Sequence, residues 1–204
     1  MMNSVTTGDF TPPPPTPSEA GPGPDVFRRA VQSLLDAPVR REVRLEPLRA
    51  PQRLAPYSYA VSADVLGAHD ALDGATGRLV LLHDPDGHEA WHGVLRLVAF
   101  VSATLDESIG VDPMLPTVGW SWLRSALDER GAAYRAAGGT VTQKTSTRFG
   151  DLHGPQTDVE FELRASWTAD DADLTPHLQA YLDLLCTAAG LPPEGVTILS
   201  STGP

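Results

Sequence analysis

A chain of 204 residues, 41% of them hydrophobic, is long enough to bury the core of one compact domain. Its 15 basic and 26 acidic residues leave a net charge of −11, which sets it against nucleic-acid backbones and anionic membrane surfaces as general partners. A single cysteine excludes an internal disulfide framework and Cys₄ or Cys₂His₂ zinc sites, and no apolar run reaches the roughly 18 residues that span a bilayer.

Residues 1–24 hold seven of the 19 prolines, with Phe10 as the one large apolar side chain. Such a segment buries too little surface to offset its ordering entropy, so it is expected to be a disordered tail with polyproline II character, solvated or docked on a proline-binding module. The absence of Lys and Arg before Arg28, and of an apolar core, does not fit a secretory signal. A cytoplasmic protein is therefore expected. Residues 25–195 are expected to form one domain and 196–204 a C-terminal tail.

An amphipathic helix is predicted from Asp25, with Phe27, Ala30, Val31, Leu34 and Leu35 on one stripe and Pro38 as its stop. A short strand follows, with Val43 and Leu45 alternating with charged residues between proline boundaries. Next, Tyr57, Tyr59, Val61, Ala63 and Val65 alternate with polar neighbours in a half-buried strand. Residues 78–83 and 92–105 are apolar on both faces. They are predicted to pair as a hairpin at the centre of an antiparallel sheet, reversing through a type I turn at Asp84-Pro85-Asp86-Gly87.

Thr117 is the expected cap of a second helix carrying Trp120, Leu123 and Leu127 on one stripe and ending near Gly131. A polar strand, Thr140 to Arg148, precedes the cleanest alternation in the chain, with Val159, Phe161, Leu163, Ala165 and Trp167 facing one way. Thr175 and Pro176 open a last helix with Leu178, Tyr181, Leu182, Leu185 and Ala189 as its stripe. The order α-β-β-β-β-α-β-β-α implies an α+β fold, a single antiparallel sheet of about six strands with three helices on one face. It resembles the type III secretion chaperone-like topology with one additional early strand, an analogy that specifies no function.

The strings RLAPYSYA at 53–60, LLHDPDGHEAW at 81–91, VGWSWL at 118–123, STRFGD at 146–151, ELRASW at 162–167 and LLCTAAGLPP at 184–193 resemble an actinobacterial protein family, the domain of unknown function numbered three thousand. The resemblance covers roughly residues 25 to 195. It implies no activity, cofactor or catalytic residue for these positions.

Two clusters can carry chemistry. His83, Asp84, Asp86, His88, Glu89 and His92 offer imidazole and carboxylate to a metal, but the spacing contains no HExxH and turn chemistry accounts for the acidic pair. No metal and no cofactor are assigned. Arg148, Asp151 and His153 can bind an anion or exchange protons, with Trp122 as an apolar wall; the competing structural reading is an Arg148–Asp151 ion pair. The four tryptophans default to core packing, and Trp122, off the stripe of its helix, is the one expected to be partly exposed. Cys186 reads as a buried, inert thiol among leucines. Without a nucleotide loop or a nucleophile–base–orienter set, the leading expectation is a non-catalytic protein-binding or adaptor module whose partner is another protein or its own copy. A small-ligand binder or enzyme using Arg148, Asp151 and His153 is the alternative. A weak RNA or anionic-ligand binder is the second alternative, although the polar strand lacks interleaved aromatics for base stacking.

Overall fold

The computed structural model describes residues 23–65, 74–105, 112–149 and 156–194. Residues 1–22 of the N-terminal tail, the C-terminal tail 196–204, and Asp151 and His153 lie outside the described residues. Six strands form one antiparallel sheet: β1 (Val43–Leu48), β2 (Tyr57–Val65), β3 (Ala75–His88), β4 (Gly93–Leu105), β5 (Tyr134–Arg148) and β6 (Gln156–Ala169), in spatial order β1-β2-β3-β4-β6-β5. Three helices, α1 (Asp25–Asp36), α2 (Leu115–Glu129) and α3 (Thr175–Ala188), complete the α+β order read from the sequence.

The central hairpin of β3 and β4 is where two-faced apolarity placed it, but its turn is different. Asp84 Oδ1 accepts the Asp86 N–H at 3.1 Å, yet the strand continues through His88 and the chain reverses in a 3₁₀ turn at Glu89–Trp91. His92 closes that turn in the left-handed region at φ 57°, with its N–H donating to the carbonyls of His88 and Glu89. An Asx-type side-chain contact needs only local chemistry, whereas the register beyond His83 shifts to keep the strands paired as far as His88 and Gly93.

Helix starts also lie earlier than the predicted caps. Pro24, Met114 and Leu174 are the capping residues, and Pro116 and Pro176 occupy the first turns, where a missing N–H costs nothing. Pro47 falls inside β1, which is tolerated because β1 is an edge strand. On α1, Phe27, Ala30 and Leu34 are buried, whereas Leu35 is 57% exposed, contrary to the stripe assigned from sequence. The helix offers more apolar positions than the sheet can cover.

The alternate side chains of β6 from Val159 to Trp167 form the floor of the core, and their partners on β4, Leu97 to Leu105, extend it. Gly119 lets α2 approach that floor, since a Cβ there would collide with the Phe161 ring. Helix α3 is buried on most of its circumference, with His177, Leu178, Tyr181, Leu184, Leu185 and Cys186 all enclosed, because it lies on the sheet and touches both other helices. Ser33 ties α1 to the start of α3. Its hydroxyl donates to the Ala172 carbonyl and accepts from the Leu174 N–H, while Thr175 Oγ1 donates to the Ser33 carbonyl at 3.2 Å.

Candidate functional site

The sequence-derived cluster is divided by the sheet. Arg148 is on the parity of Thr140, Thr142 and Lys144, the face away from the helices, and it pairs across the strands with Asp158 at 2.6 Å, both groups being exposed. Trp122 is half-buried on the helix side, its ring 5.6 Å from that of Phe161. Trp122 therefore cannot wall a site built around Arg148. Asp158, not named from the sequence, is the carboxylate that Arg148 meets among the described residues; period-two pairing of two polar strands was its only signal.

The histidine-rich hairpin also fails to converge, and among the described residues no three His, Cys, Asp or Glu side chains assemble into a metal-sized cluster. His83 is buried between Phe27 and Tyr57, its ring 6.0 and 5.9 Å from theirs, with Nδ1 bonded to the Val94 carbonyl at 2.9 Å and Nε2 without a partner. His88 is exposed at the tip, stacked 4.8 Å from Trp91 and accepting the Ala90 N–H. Adjacent strand positions had already pointed these groups apart.

Two buried groups elsewhere are perturbed without forming a reactive set. His177 accepts the Trp167 indole N–H at Nδ1 at 3.0 Å, and burial holds its pKa down at about 4 against the opposing pull of Asp171, Asp170 and Asp173. Cys186 is enclosed on α3, and burial pushes its thiol up to about 11, away from nucleophilic use. A cleft of about 620 Å³ lies between α1 and the β6–α3 connection, with Val26, Val94 and Leu95 on its apolar walls. Its carboxylates are already engaged: Asp170 binds Arg135 at 2.6 Å, Asp171 accepts the Asp173 N–H, and Asp173 accepts the Thr175 N–H.

The remaining candidate is the second face of the sheet. All three helices pack on the other side, and no described helix crosses this one. Cross-strand register places Ala60, Val80, Val98 and Ser166 in one row and Arg78, Phe100 and Arg164 in the next. Val98 is 36% exposed at the middle of the sheet, and Leu48 is exposed at the end of the same row. The guanidinium carbons of Arg78 and Arg164 stand 5.4 and 5.5 Å from the centre of the Phe100 ring, a double cation–π contact that holds both cations beside an apolar patch. Carboxylates surround it, each with a basic neighbour. Lys144 meets Glu160 at 3.0 Å, Arg164 meets Glu162 at 2.8 Å, and Arg44 lies within 4 Å of both Glu46 and Asp64. Arg96 fans across the strands to Ser166, Thr168 and the Ala136 carbonyl. This surface offers apolar contact and fixed cations, but no nucleophile or general base beside a cavity.

Fold and surface together define an α+β protein, an antiparallel sheet backed by helices on one face and, among the described residues, crossed by no helix on the other. The chain belongs to the protein family of unknown function DUF3000, whose model matches residues 23–197. No curated protein matches the chain, and no solved structure does. Among the described residues, no helix is long and apolar enough to cross a membrane.

Proposed function

We propose that this protein is a non-catalytic binding module whose open sheet face receives another protein surface. The observation that carries the reading is the Arg78–Phe100–Arg164 stack beside Val98, on the central strand of a face with no described helix over it. An antiparallel sheet can leave one face in water, but that face is then expected to alternate to polar residues. Here Val80, Val98 and Phe100 break that rule along the two central strands. Two guanidiniums held over an aromatic ring suit a partner with an apolar centre and carboxylates beside it, since arginine and aromatic residues dominate binding energy at protein interfaces. The domain's own acidity then acts as a filter, because nucleic acid is repelled by the rest of the surface.

The test is a photoreactive side chain placed at Val98 of the full chain in its native host, with the same group at Leu35 on α1 as control. A discrete protein adduct at 98, lost when Arg78→Glu is added and absent at 35, supports the reading. No adduct at 98, or the same adducts at both positions, overturns it.

A further inference from the structure

The open face carries its own complement. The whole chain has a net charge of −11, yet on the paired part of this face the basic and acidic side chains nearly balance. Where two copies meet through this face, the cations over Phe100 lie against a surface that holds Glu160 and Glu162, so the chain's excess of negative charge does not oppose contact here. The apolar centre is equally self-matched, because a two-fold axis sets the same patch of each copy against the other. The dimensions are also sufficient. Beyond the row of Leu82 and Thr168, which is already buried, six strands about 4.8 Å apart and about seven residues at 3.4 Å each present roughly 700 Å², within the range of about 600–1,000 Å² that each partner contributes to a standard stable interface.

We propose that a second copy of this chain is the occupant: two sheets pack face to face through Val80, Val98 and Phe100, giving a four-layer dimer with the helices outside. This rests on the reading of the open face as a protein-binding surface. Aligned sheet packing at about −30° allows the side chains of two such faces to interdigitate. At the rim, Glu160 and Glu162 of each copy exchange part of their contact with Lys144 and Arg164 for contact with the facing sheet. The indifference of α1 follows, since Leu35 lies on the opposite side of the molecule.

Sedimentation equilibrium of the full chain over a dilution series tests this. The native chain and Leu35→Glu are expected to form a reversible dimer. Val98→Glu, which would set a carboxylate of each copy into the apolar centre of the interface and draw Arg78 and Arg164 away from Phe100, is expected to weaken association by about a hundredfold or more with unchanged circular dichroism. Should that variant fail to fold, Val98→Cys treated with a short bis-maleimide is expected to give a covalent dimer, while Leu35→Cys gives none; Cys186, buried, does not compete. A native chain that sediments as a monomer throughout, a Val98→Glu dimer of native strength, or equal cross-linking at 98 and 35 overturns the second copy as occupant. A monomer that still yields a heterologous adduct at Val98 overturns only the second copy and leaves the open face as a binding surface.

Discussion

Acid titration of His177 is expected to set the lower limb of the stability profile. The imidazole takes up its proton near 6.5 when exposed, but in the folded chain burial delays this to about 4. Between those values the unfolded chain binds one proton more than the folded one, so stability is complete above about 6.5 and falls as pH drops. The slope is about 1.4 kcal/mol per pH unit, the loss is about 2 kcal/mol at pH 5, and it levels at about 3 kcal/mol below pH 4. His177→Asn keeps an acceptor near the position of Nδ1 for the Trp167 indole while removing the titrating ring. It is expected to be less stable at neutral pH through lost packing, yet to lose about 2 kcal/mol less between pH 7.5 and 5. Asp170, Asp171 and Asp173 are present in both proteins, so the difference between the two curves isolates the imidazole. Urea denaturation followed by circular dichroism at stepped pH measures it. Parallel curves for the native chain and His177→Asn would refute the assignment.

Further outcomes follow from packing and ion pairing, each read from urea midpoints. Gly77→Ala is expected to destabilise by roughly 2–3 kcal/mol, since its Cβ would overlap the Tyr181 hydroxyl and the Phe100 carbonyl oxygen, whereas Gly138→Ala, with open space around it, is expected to be neutral or stabilising by up to about 1 kcal/mol. Tyr181→Phe removes a buried hydroxyl that has no partner and is expected to leave stability unchanged or raise it by up to about 1 kcal/mol; a loss above 2 kcal/mol would mean that the hydroxyl is bonded. Arg130 holds Asp183 through two bonds of 2.6 and 2.9 Å, tying the end of α2 to α3. Arg130→Met is expected to cost roughly 1–3 kcal/mol, and Arg130→Lys to recover less than half of it because an ammonium lacks the planar fork.

Much of the architecture was legible because it depends on short-range periodicity. The alternation assigned Val159, Phe161, Leu163, Ala165 and Trp167 of β6 to the core correctly, leaving out Ala169 at the strand's end, and two-faced apolarity identified β3 and β4 as central. The reversal at Glu89–Trp91 was not legible, because the Asp-Pro-Asp-Gly segment has strong turn chemistry of its own and only pairing with β4 extends the strand past it. The candidate surface was half visible. Val98 and Phe100 lie within the run 92–105 that reads as apolar on both faces, but covered and uncovered central strands have the same composition.

Local spacing alone determined which side chains share a face, since that follows from a two-residue repeat in strands and a 3.6-residue repeat in helices. Tertiary structure decided which of the two faces the helices cover, and that β6 inserts between β4 and β5. It also set Arg148 against Asp158 on one side of the sheet and Trp122 against Phe161 on the other. Those outcomes depend on contacts between segments distant in sequence, where the free energy of burying one face is compared across the whole chain, and no repeat within a single segment encodes that comparison.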